Sequence, residues 1–194
     1  MERFVLVDRD GVINRRIVGG YVTAWEDFQF LPGVLEGLAL LARHHIQTLV
    51  ISNQACIGKG ILAPAALENI TRLFVRQIED HGGRIGGVYY CPHRPEDACE
   101  CRKPKPGLIL QAQREFGFSL TEAYVIGDSL TDVAAAEAAG CPALLIAEDG
   151  AALRKAASPA LAGVFPNLFE AARFIIARLP SSISDTAPSA DRQG

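Results

Sequence analysis

Two kinds of hydrophobic pattern alternate along the chain. Short runs of consecutive apolar residues, typical of buried strands, are separated by longer segments in which apolar residues recur every three or four positions, as on one face of a helix. Strands are predicted at residues 4–8, 47–52, 86–91, 123–128 and 142–147, with a short sixth strand at 163–165. Helices are predicted at residues 32–45, 64–83, 106–117, 130–140 and 167–179. This alternation is typical of βαβ units.

The strand pattern also indicates which kind of sheet forms. Each predicted strand is a continuous apolar run, which a sheet covered on both faces requires. The helices have one apolar face, and in the segment 64–83 this face includes Leu67, Ile70 and Phe74. We therefore predict an α/β fold with a Rossmann-like, doubly wound parallel sheet.

The length of 194 residues is sufficient for one ordinary domain with a substantial core. We predict a single domain over residues 1–179. The final residues, 180–194, are rich in Ser, Asp and Pro and offer little to bury, so we expect a flexible tail there.

Composition excludes several classes of partner. The net charge of −3 gives no electrostatic reason to expect nucleic acid or an acidic membrane surface. No apolar run approaches the roughly 20 residues that span a bilayer. The N-terminal stretch "MERFVLVDRD" lacks the features of a signal peptide. We expect a cytoplasmic monomer.

Polar residues follow the predicted strands at the positions where ligands bind in open α/β sheets, at the carboxyl ends. These residues are Asp8 and Asp10 after the first strand, Ser52 and Asn53 after the second, Lys103 beyond the third, and Asp128 and Asp132 after the fourth. A carboxylate can attack phosphorus, and several together can bind Mg²⁺. A lysine, a hydroxyl and an amide can neutralise a transferring phosphoryl group. A single aspartate here is ordinarily a cap or turn residue, but the combined set indicates phosphoryl transfer.

A second group of chemically active residues lies within one short loop. Cys91, His93, Cys99 and Cys101 form the pattern C-x-H-x₅-C-x-C. Three thiolates and one imidazole complete a tetrahedral Zn²⁺ site and leave no open position, so the predicted zinc is structural. The alternatives are that Cys91 is a buried strand end and that Cys99 and Cys101 are a redox pair.

The remaining cysteines and the residues after the loop complete this interpretation. Cys56 and Cys141 stand apart and are predicted to be free thiols. Arg102 and Lys103 follow the last predicted ligand directly. A loop clamped by zinc in residues 91–101 would hold Lys103 in position before substrate binds.

The stretches "VDRDGVIN", "ISNQ", "CRKPKPG" and "VIGDSLTD" resemble the four motifs of the haloacid-dehalogenase (HAD) superfamily of aspartate-nucleophile phosphatases. The resemblance extends from about Phe4 to about Phe174. It implies that Asp8 is the nucleophile, Asp10 the general acid and base, and Lys103 a cationic stabiliser. It assigns phosphoryl binding to Ser52 and Asn53, Mg²⁺ binding to Asp8, Asp128 and the main-chain carbonyl of Asp10, and the orientation of Lys103 or a metal-bound water to Asp132.

The spacings between the motifs leave no room for a separate cap domain. The zinc loop narrows the resemblance to two relatives, and the stretches "GGYV" and "YYCPHRPEDACECRKPKPG" with the single-domain length favour one of them. The chain looks most like the D-glycero-D-manno-heptose 1,7-bisphosphate 7-phosphatase family and its relative histidinol-phosphate phosphatase. The substrate contacts that this implies are Gly19, Gly20, Tyr21, Gln54, Ala55, Arg102 and Ser129. The stretch "QACIGKG" departs from the Gln-Ser-Gly start and later Arg-Gly of many members, which leaves the sugar contacts around Ala55, Cys56 and Lys59 open.

We therefore expect a capless, Mg²⁺-dependent phosphatase with a structural Zn²⁺, which hydrolyses the 7-phosphate of a heptose bisphosphate through an aspartyl-phosphate. This phosphorylated sugar would be an intermediate in the synthesis of activated heptose for glycans such as lipopolysaccharide. The alternatives are hydrolysis of histidinol phosphate or another small sugar phosphate, and a zinc-stabilised binding module without catalysis. Arg15 and Arg16, in the loop after the first motif, either meet a second phosphate or are solvated.

Overall fold

The computed structural model describes residues 2–147 and 158–179. It contains a six-stranded, fully parallel sheet with the strand order β3-β2-β1-β4-β5-β6. The strands are β1 (Arg3–Val7), β2 (Ile46–Asn53), β3 (Ile85–Cys91), β4 (Tyr124–Gly127), β5 (Ala143–Ile146) and β6 (Leu161–Phe165). Each predicted strand is present, and the short sixth one pairs with β5.

The helices agree with the predicted ones except at one position and at some ends. They are α1 (Val34–Arg43), α2 (Ala55–Gly58), α3 (Pro64–Asp80), α4 (Gly107–Phe116), α5 (Leu130–Ala139) and α6 (Leu168–Ile176). Helix α2 was not predicted, because a helix of this length is too short to show a hydrophobic period. Helix α3 ends at Asp80 rather than at residue 83, because the chain turns at Gly82.

The sheet separates two hydrophobic cores, as a doubly wound fold requires. Val5 and Val7 of β1 point to a core that is shared with α1, α3 and α6. Phe4 and Leu6 point to the opposite core, which includes α4 and α5. The predicted fold class is therefore confirmed, and the continuous apolar strands are explained by burial on both faces.

Strand β1 lies between β2 and β4, so the chain builds one half of the sheet with β2 and β3 and then crosses over to build the other half from β4. This reversal of strand order opens a crevice, the usual ligand site of the fold. Within the described ranges, the connections on either side of β2 contain only loops, short helical turns and the helices α1, α2 and α3. No separate cap domain covers the crevice in this part of the chain.

None of the helices in residues 2–147 and 158–179 is long and apolar enough to cross a membrane. The predicted flexible tail, residues 180–194, lies outside the described residues.

Candidate active site and metal centres

A buried lysine joins two carboxylates at the carboxyl edge of the sheet. Lys103 Nζ lies 3.0 Å from Asp8 Oδ1 and 2.6 Å from Asp132 Oδ1, and it donates to the main-chain oxygen of Ile51 at 3.1 Å. Burial alone would lower the pKa of Lys103, but the two carboxylates raise it above its ordinary value. Burial also raises the pKa of Asp8, although the charge of Lys103 opposes this shift. The lysine is therefore charged and fixed beside Asp8.

The carboxylate of Asp10 is held by three side chains. The guanidinium of Arg9 donates to both of its oxygens at 2.9 Å, Asn14 Nδ2 donates to Oδ1 at 2.9 Å, and Gln54 Nε2 donates to Oδ2 at 2.7 Å. Burial would raise the pKa of Asp10, but Arg9 and these hydrogen bonds together lower it. Asp10 is thus ionised and oriented by its surroundings.

Arg9 was not among the predicted site residues, yet only 1% of its side chain is exposed. It lies between two motif aspartates in sequence, in a turn where an arginine ordinarily extends into solvent. Its burial depends on packing near the ring of Tyr90, whose centroid is 6.0 Å from the guanidinium carbon. Local sequence carries no signal for that contact.

Gln54 connects the motif after β1 to the motif after β2. Its amide nitrogen donates to Asp10 Oδ2 and, at 3.0 Å, to Ser52 Oγ, so both of its hydrogens are used. Since Ser52 Oγ accepts this bond, its own hydroxyl hydrogen is free to donate into the cleft that Ser52 lines. Gln54 and Ala55, both predicted as substrate contacts, are buried beneath the cleft surface.

Asn53 fixes the backbone of the lysine. Its Nδ2 donates to the main-chain oxygen of Lys103 at 3.1 Å, and its Oδ1 accepts from the main-chain nitrogen of Lys103 at 3.1 Å. The predicted phosphoryl-binding residue is therefore also the residue that ties β2 to the segment carrying Lys103.

Asp128, at the end of β4, faces the turn after β1. An added Cβ at Gly11 would lie 1.9 Å from Asp128 Oδ2, so only glycine allows this approach. Arg16 Nη2 donates to Asp128 Oδ1 at 2.7 Å and reaches the main-chain oxygen of Asp10 at 3.4 Å. Burial raises the pKa of Asp128 to about 7, with Arg16 acting in the opposite direction.

These residues fit a hard divalent cation. Asp8, Asp128 and Asp132 each offer a carboxylate oxygen, and these oxygens lie within 4.8 Å of one another. Such oxygen donors suit Mg²⁺. Both oxygens of Asp132 are paired, Oδ1 with Lys103 and Oδ2 with Ser129, whereas Asp8 pairs through Oδ1, so Asp8 and Asp128 are the more available ligands. The Asp10 carbonyl is a further oxygen donor, and Arg16 Nη2 reaches both it and Asp128.

The predicted zinc ligands also come together. Cys99 Sγ is 3.6 Å from Cys91 Sγ and 3.5 Å from Cys101 Sγ, while His93 Nδ1 is 3.7 Å from Cys91 Sγ and 3.3 Å from Cys101 Sγ. A tetrahedron with bonds of about 2.0–2.3 Å has edges close to these distances. The four donors therefore fit a closed, four-coordinate Zn²⁺ site. Cys56 and Cys141 lie outside this cluster.

Main-chain hydrogen bonds connect this loop to the rest of the site. Gln54 N donates to the oxygen of Cys91 at 2.7 Å, and Gly58 N donates to the oxygen of Pro92 at 2.9 Å. At the other end, an added Cβ at Gly107 would lie 2.2 Å from the main-chain oxygen of Glu100, so α4 begins directly against the loop. The loop that precedes Lys103 is thus braced at both ends.

A cleft of about 790 Å³ opens above Asp8, Asp10 and Lys103. The predicted contacts that line it are Ser52, Asn53, Gly19, Gly20, Tyr21, Arg102 and Ser129. Lys59 also lines it, with its ammonium 5.6 Å from the centroid of the Tyr21 ring. Lys59, Arg102 and Arg16 give the rim a positive character that suits an anionic ligand.

Two of the lining residues have identifiable structural roles. Ser129 N donates to Asp132 Oδ2 at 3.1 Å in a capping box that begins α5, so it orients the partner of Lys103. Arg102 Nη1 donates to the main-chain oxygen of His93 at 3.3 Å. The nearby acidic residue Glu100 pairs with Lys105, at 2.7 Å.

Comparisons with known proteins agree with this geometry. A family model described as "HAD-hyrolase-like" matches residues 100–171. A D-glycero-beta-D-manno-heptose-1,7-bisphosphate 7-phosphatase from Photorhabdus laumondii is 39% identical over 139 residues, which cover 68% of this chain and 73% of the relative. The phosphatase of the same name from Vibrio cholerae is 36% identical over 153 residues, covering 75% and 81% respectively.

A similar solved structure is the D,D-heptose 1,7-bisphosphate phosphatase from B. bronchiseptica, which was crystallised with magnesium and phosphate. It superposes with a TM-score of 0.84 at 29% identity and covers 90% of this chain and 98% of its own. The similarity thus extends over most of this chain and nearly all of that structure.

Proposed function

The chain belongs to the D-glycero-beta-D-manno-heptose-1,7-bisphosphate 7-phosphatase family of HAD-like hydrolases, and on this premise we propose that it removes the 7-phosphate of the β-anomer of that sugar bisphosphate. The reaction class is hydrolysis of a phosphoric monoester. The anomer is proposed because the relatives with this name act on the β form.

One observation carries the proposal: the ammonium of Lys103 lies 3.0 Å from Asp8 Oδ1 at the floor of the cleft. A binding module has no need to bury a lysine between carboxylates, since burying charge is costly. In a phosphatase the same arrangement neutralises an anionic substrate next to a carboxylate nucleophile.

In the first half-reaction an oxygen of Asp8 attacks the 7-phosphorus. Asp8 Oδ1 already accepts from Lys103 and from the main-chain nitrogen of Arg9, at 2.7 Å, so Oδ2 is the less constrained oxygen. A phosphorus–oxygen bond forms to Asp8 while the bond to the sugar 7-oxygen breaks. Lys103 and the free hydroxyl hydrogen of Ser52 stabilise the non-bridging oxygens.

The departing 7-oxygen takes a proton from Asp10. Because the surroundings hold the resting carboxylate of Asp10 ionised, this proton arrives with the substrate, whose phosphate has a second pKa of about 6. In the second half-reaction Asp10 accepts a proton from water as the water oxygen attacks phosphorus. The bond to Asp8 then breaks, which restores the carboxylate of Asp8, and inorganic phosphate leaves with the proton that Asp10 had accepted.

The two metals have different roles in this proposal. Asp8, Asp128 and the Asp10 carbonyl would hold Mg²⁺, which when bound neutralises charge on the phosphoryl group. Zn²⁺ held by the cluster of Cys91, His93, Cys99 and Cys101 would take no part in the chemistry, because its four protein ligands complete the coordination. Its effect would be to fix the loop that delivers Lys103 and Arg102.

To choose between the two phosphates of the substrate, the protein needs a side chain that holds the phosphate that does not react. Lys103 and Ser52 bind whichever phosphate lies over Asp8, so they cannot distinguish the ends. The cationic rim residues Arg102 and Lys59 are the candidates to hold the 1-phosphate, since both line the same cleft.

A phosphate-release assay over a matched panel tests the proposal. The panel contains the β- and α-anomers of heptose 1,7-bisphosphate, heptose 7-phosphate and histidinol phosphate, each with Mg²⁺. We expect the highest kcat/KM for the β-bisphosphate, with ³¹P NMR showing that the 1-phosphate remains on the product. The Asp8→Asn variant serves as the inactive control. A higher kcat/KM for histidinol phosphate would overturn the substrate assignment while leaving the phosphatase chemistry intact.

A further inference from the structure

From the sequence, Arg16 was expected either to meet a second phosphate or to be solvated. The structure shows a different contact. Arg16 Nη2 donates to Asp128 Oδ1 at 2.7 Å and lies 3.4 Å from the main-chain oxygen of Asp10. These are two of the three protein oxygens that the proposed function assigns to Mg²⁺. One nitrogen of Arg16 therefore lies between two proposed metal ligands.

The other oxygen of Asp128 is not an equivalent site. Oδ2 packs against Gly11 so closely that a single added Cβ would be 1.9 Å away. Oδ1 is the oxygen that accepts from Arg16 Nη2, the same nitrogen that reaches the Asp10 carbonyl. A Mg²⁺ ion that bound Oδ1 and this carbonyl at about 2.0–2.1 Å would occupy the space in which the guanidinium nitrogen lies.

Among the cations paired with the carboxylates of this site, Arg16 is the one that can leave at low cost. The side chains of Arg9 and Lys103 are 1% and 2% exposed, whereas that of Arg16 is 49% exposed. Arg16 also lines both the main cleft and a second cleft of about 520 Å³, which Asp128 lines too. Its side chain therefore has open space into which it can move.

From these contacts we infer that Arg16 and Mg²⁺ compete for Asp128 Oδ1 and the Asp10 carbonyl, so that Arg16 acts as a built-in counter-cation which the metal displaces. The inference rests on the proposed function for the assignment of Mg²⁺ to these oxygens. Its consequence is that Arg16 lowers the apparent affinity for Mg²⁺, because each binding event must break the Arg16–Asp128 pair.

Calorimetric titration of Mg²⁺ into the purified, zinc-loaded protein tests this without substrate. We expect Arg16→Ala to bind Mg²⁺ about 3- to 5-fold more tightly than wild type, in line with the modest value of a partly exposed ion pair. Thermal unfolding gives a second readout. Without Mg²⁺, Arg16→Ala should unfold at a lower temperature than wild type. Saturating Mg²⁺ should raise the Tm of Arg16→Ala by more than it raises the Tm of wild type.

Arg15→Ala is the matched control. Arg15 lies in the same loop and lines the second cleft, but among the described residues it makes no hydrogen bond or ion pair with Asp128. It should leave the Mg²⁺ affinity within about twofold of wild type. An equal gain in Mg²⁺ affinity in both variants would mean that the net charge of the protein, not direct competition, sets the affinity. That result would overturn the inference.

Equal or weaker Mg²⁺ binding by Arg16→Ala would also overturn it, because Arg16 would then be neutral to the metal or support it. These outcomes leave the phosphatase proposal standing. If neither wild type nor Arg16→Ala binds Mg²⁺, the metal assignment of the proposed function fails, and the inference fails with it.

Discussion

The two candidate metal centres are built in opposite ways. The cysteine–histidine cluster draws its four donors from Cys91 to Cys101, and all four side chains point at one another. The carboxylate cluster gathers Asp8, Asp128 and Asp132 from the ends of two strands and the start of a helix. The first cluster depends on the conformation of one loop, and the second depends on the assembly of the sheet.

The difference extends to the cations that surround each cluster. The thiol cluster is complete in itself and needs no counter-charge from outside the loop. Each carboxylate of the second cluster already has a cationic partner, Lys103 for Asp8 and Asp132, and Arg16 for Asp128. A metal in the second cluster would therefore displace Arg16 from Asp128 and share Asp8 with Lys103, and it would stay exchangeable. A metal in the first would be enclosed by its four protein ligands.

The largest effect is expected at the carboxylate cluster. Asp8→Asn removes both the nucleophile and a proposed metal ligand, so kcat should fall by roughly four orders of magnitude or more. The zinc content and the circular dichroism spectrum should not change, because the thiol cluster lies in another segment. Asp80→Asn, at an exposed position on α3, is the control and should keep full activity. Near-normal turnover by Asp8→Asn would exclude the aspartyl-phosphate route.

Chelation should separate the two metals. Brief treatment with EDTA should lower the rate by about three orders of magnitude through loss of Mg²⁺, since a metal of this kind supplies several kcal/mol to the transition state. Added Mg²⁺ should restore the rate, and elemental analysis should find about one zinc per chain throughout. Loss of zinc in parallel with activity would show that EDTA removes the metals of the two clusters equally easily.

Disrupting the thiol cluster should act on activity indirectly. Cys99→Ser removes one of the four proposed ligands, and zinc affinity should fall by about two orders of magnitude or more. The Tm should fall with it, and kcat should decrease because the loop that precedes Lys103 loses its brace. Cys141→Ala, a change at a buried thiol outside the cluster, should leave the zinc content unchanged. A disulfide between Cys99 and Cys101 in the purified, metal-free protein would contradict the zinc assignment.

The smallest effect concerns the choice of phosphate. Arg102→Ala should lower kcat/KM for the heptose bisphosphate by about tenfold or more, the value of one charge-assisted contact to phosphate. It should hardly change the hydrolysis of p-nitrophenyl phosphate, which has no distal phosphate to hold. Equal losses on both substrates would mean that Arg102 supports the zinc loop through His93, and selectivity would then be sought at Lys59.

Much of the architecture was predictable because its causes are local. Continuous apolar strands report burial on both faces wherever they occur, and the short spacings from Cys91 to Cys101 bring donors together regardless of the rest of the fold. The ends of β1, β2 and β4 were also predictable, since parallel strands place their carboxyl ends at one edge. The short helix α2 was missed because four residues cannot show a period.

The amino-acid pattern is therefore enough to identify the reactive groups and the edge of the sheet at which they meet. Their partners were decided by the tertiary structure alone. Arg16 reaches Asp128 across 112 positions, and Gln54 reaches Asp10 across 44. The burial of Arg9 likewise depends on the packing of Tyr90 on β3. The spacing that brings cysteines together within a loop says nothing about such pairs, because the geometry that joins them exists only after the strands have assembled into the sheet.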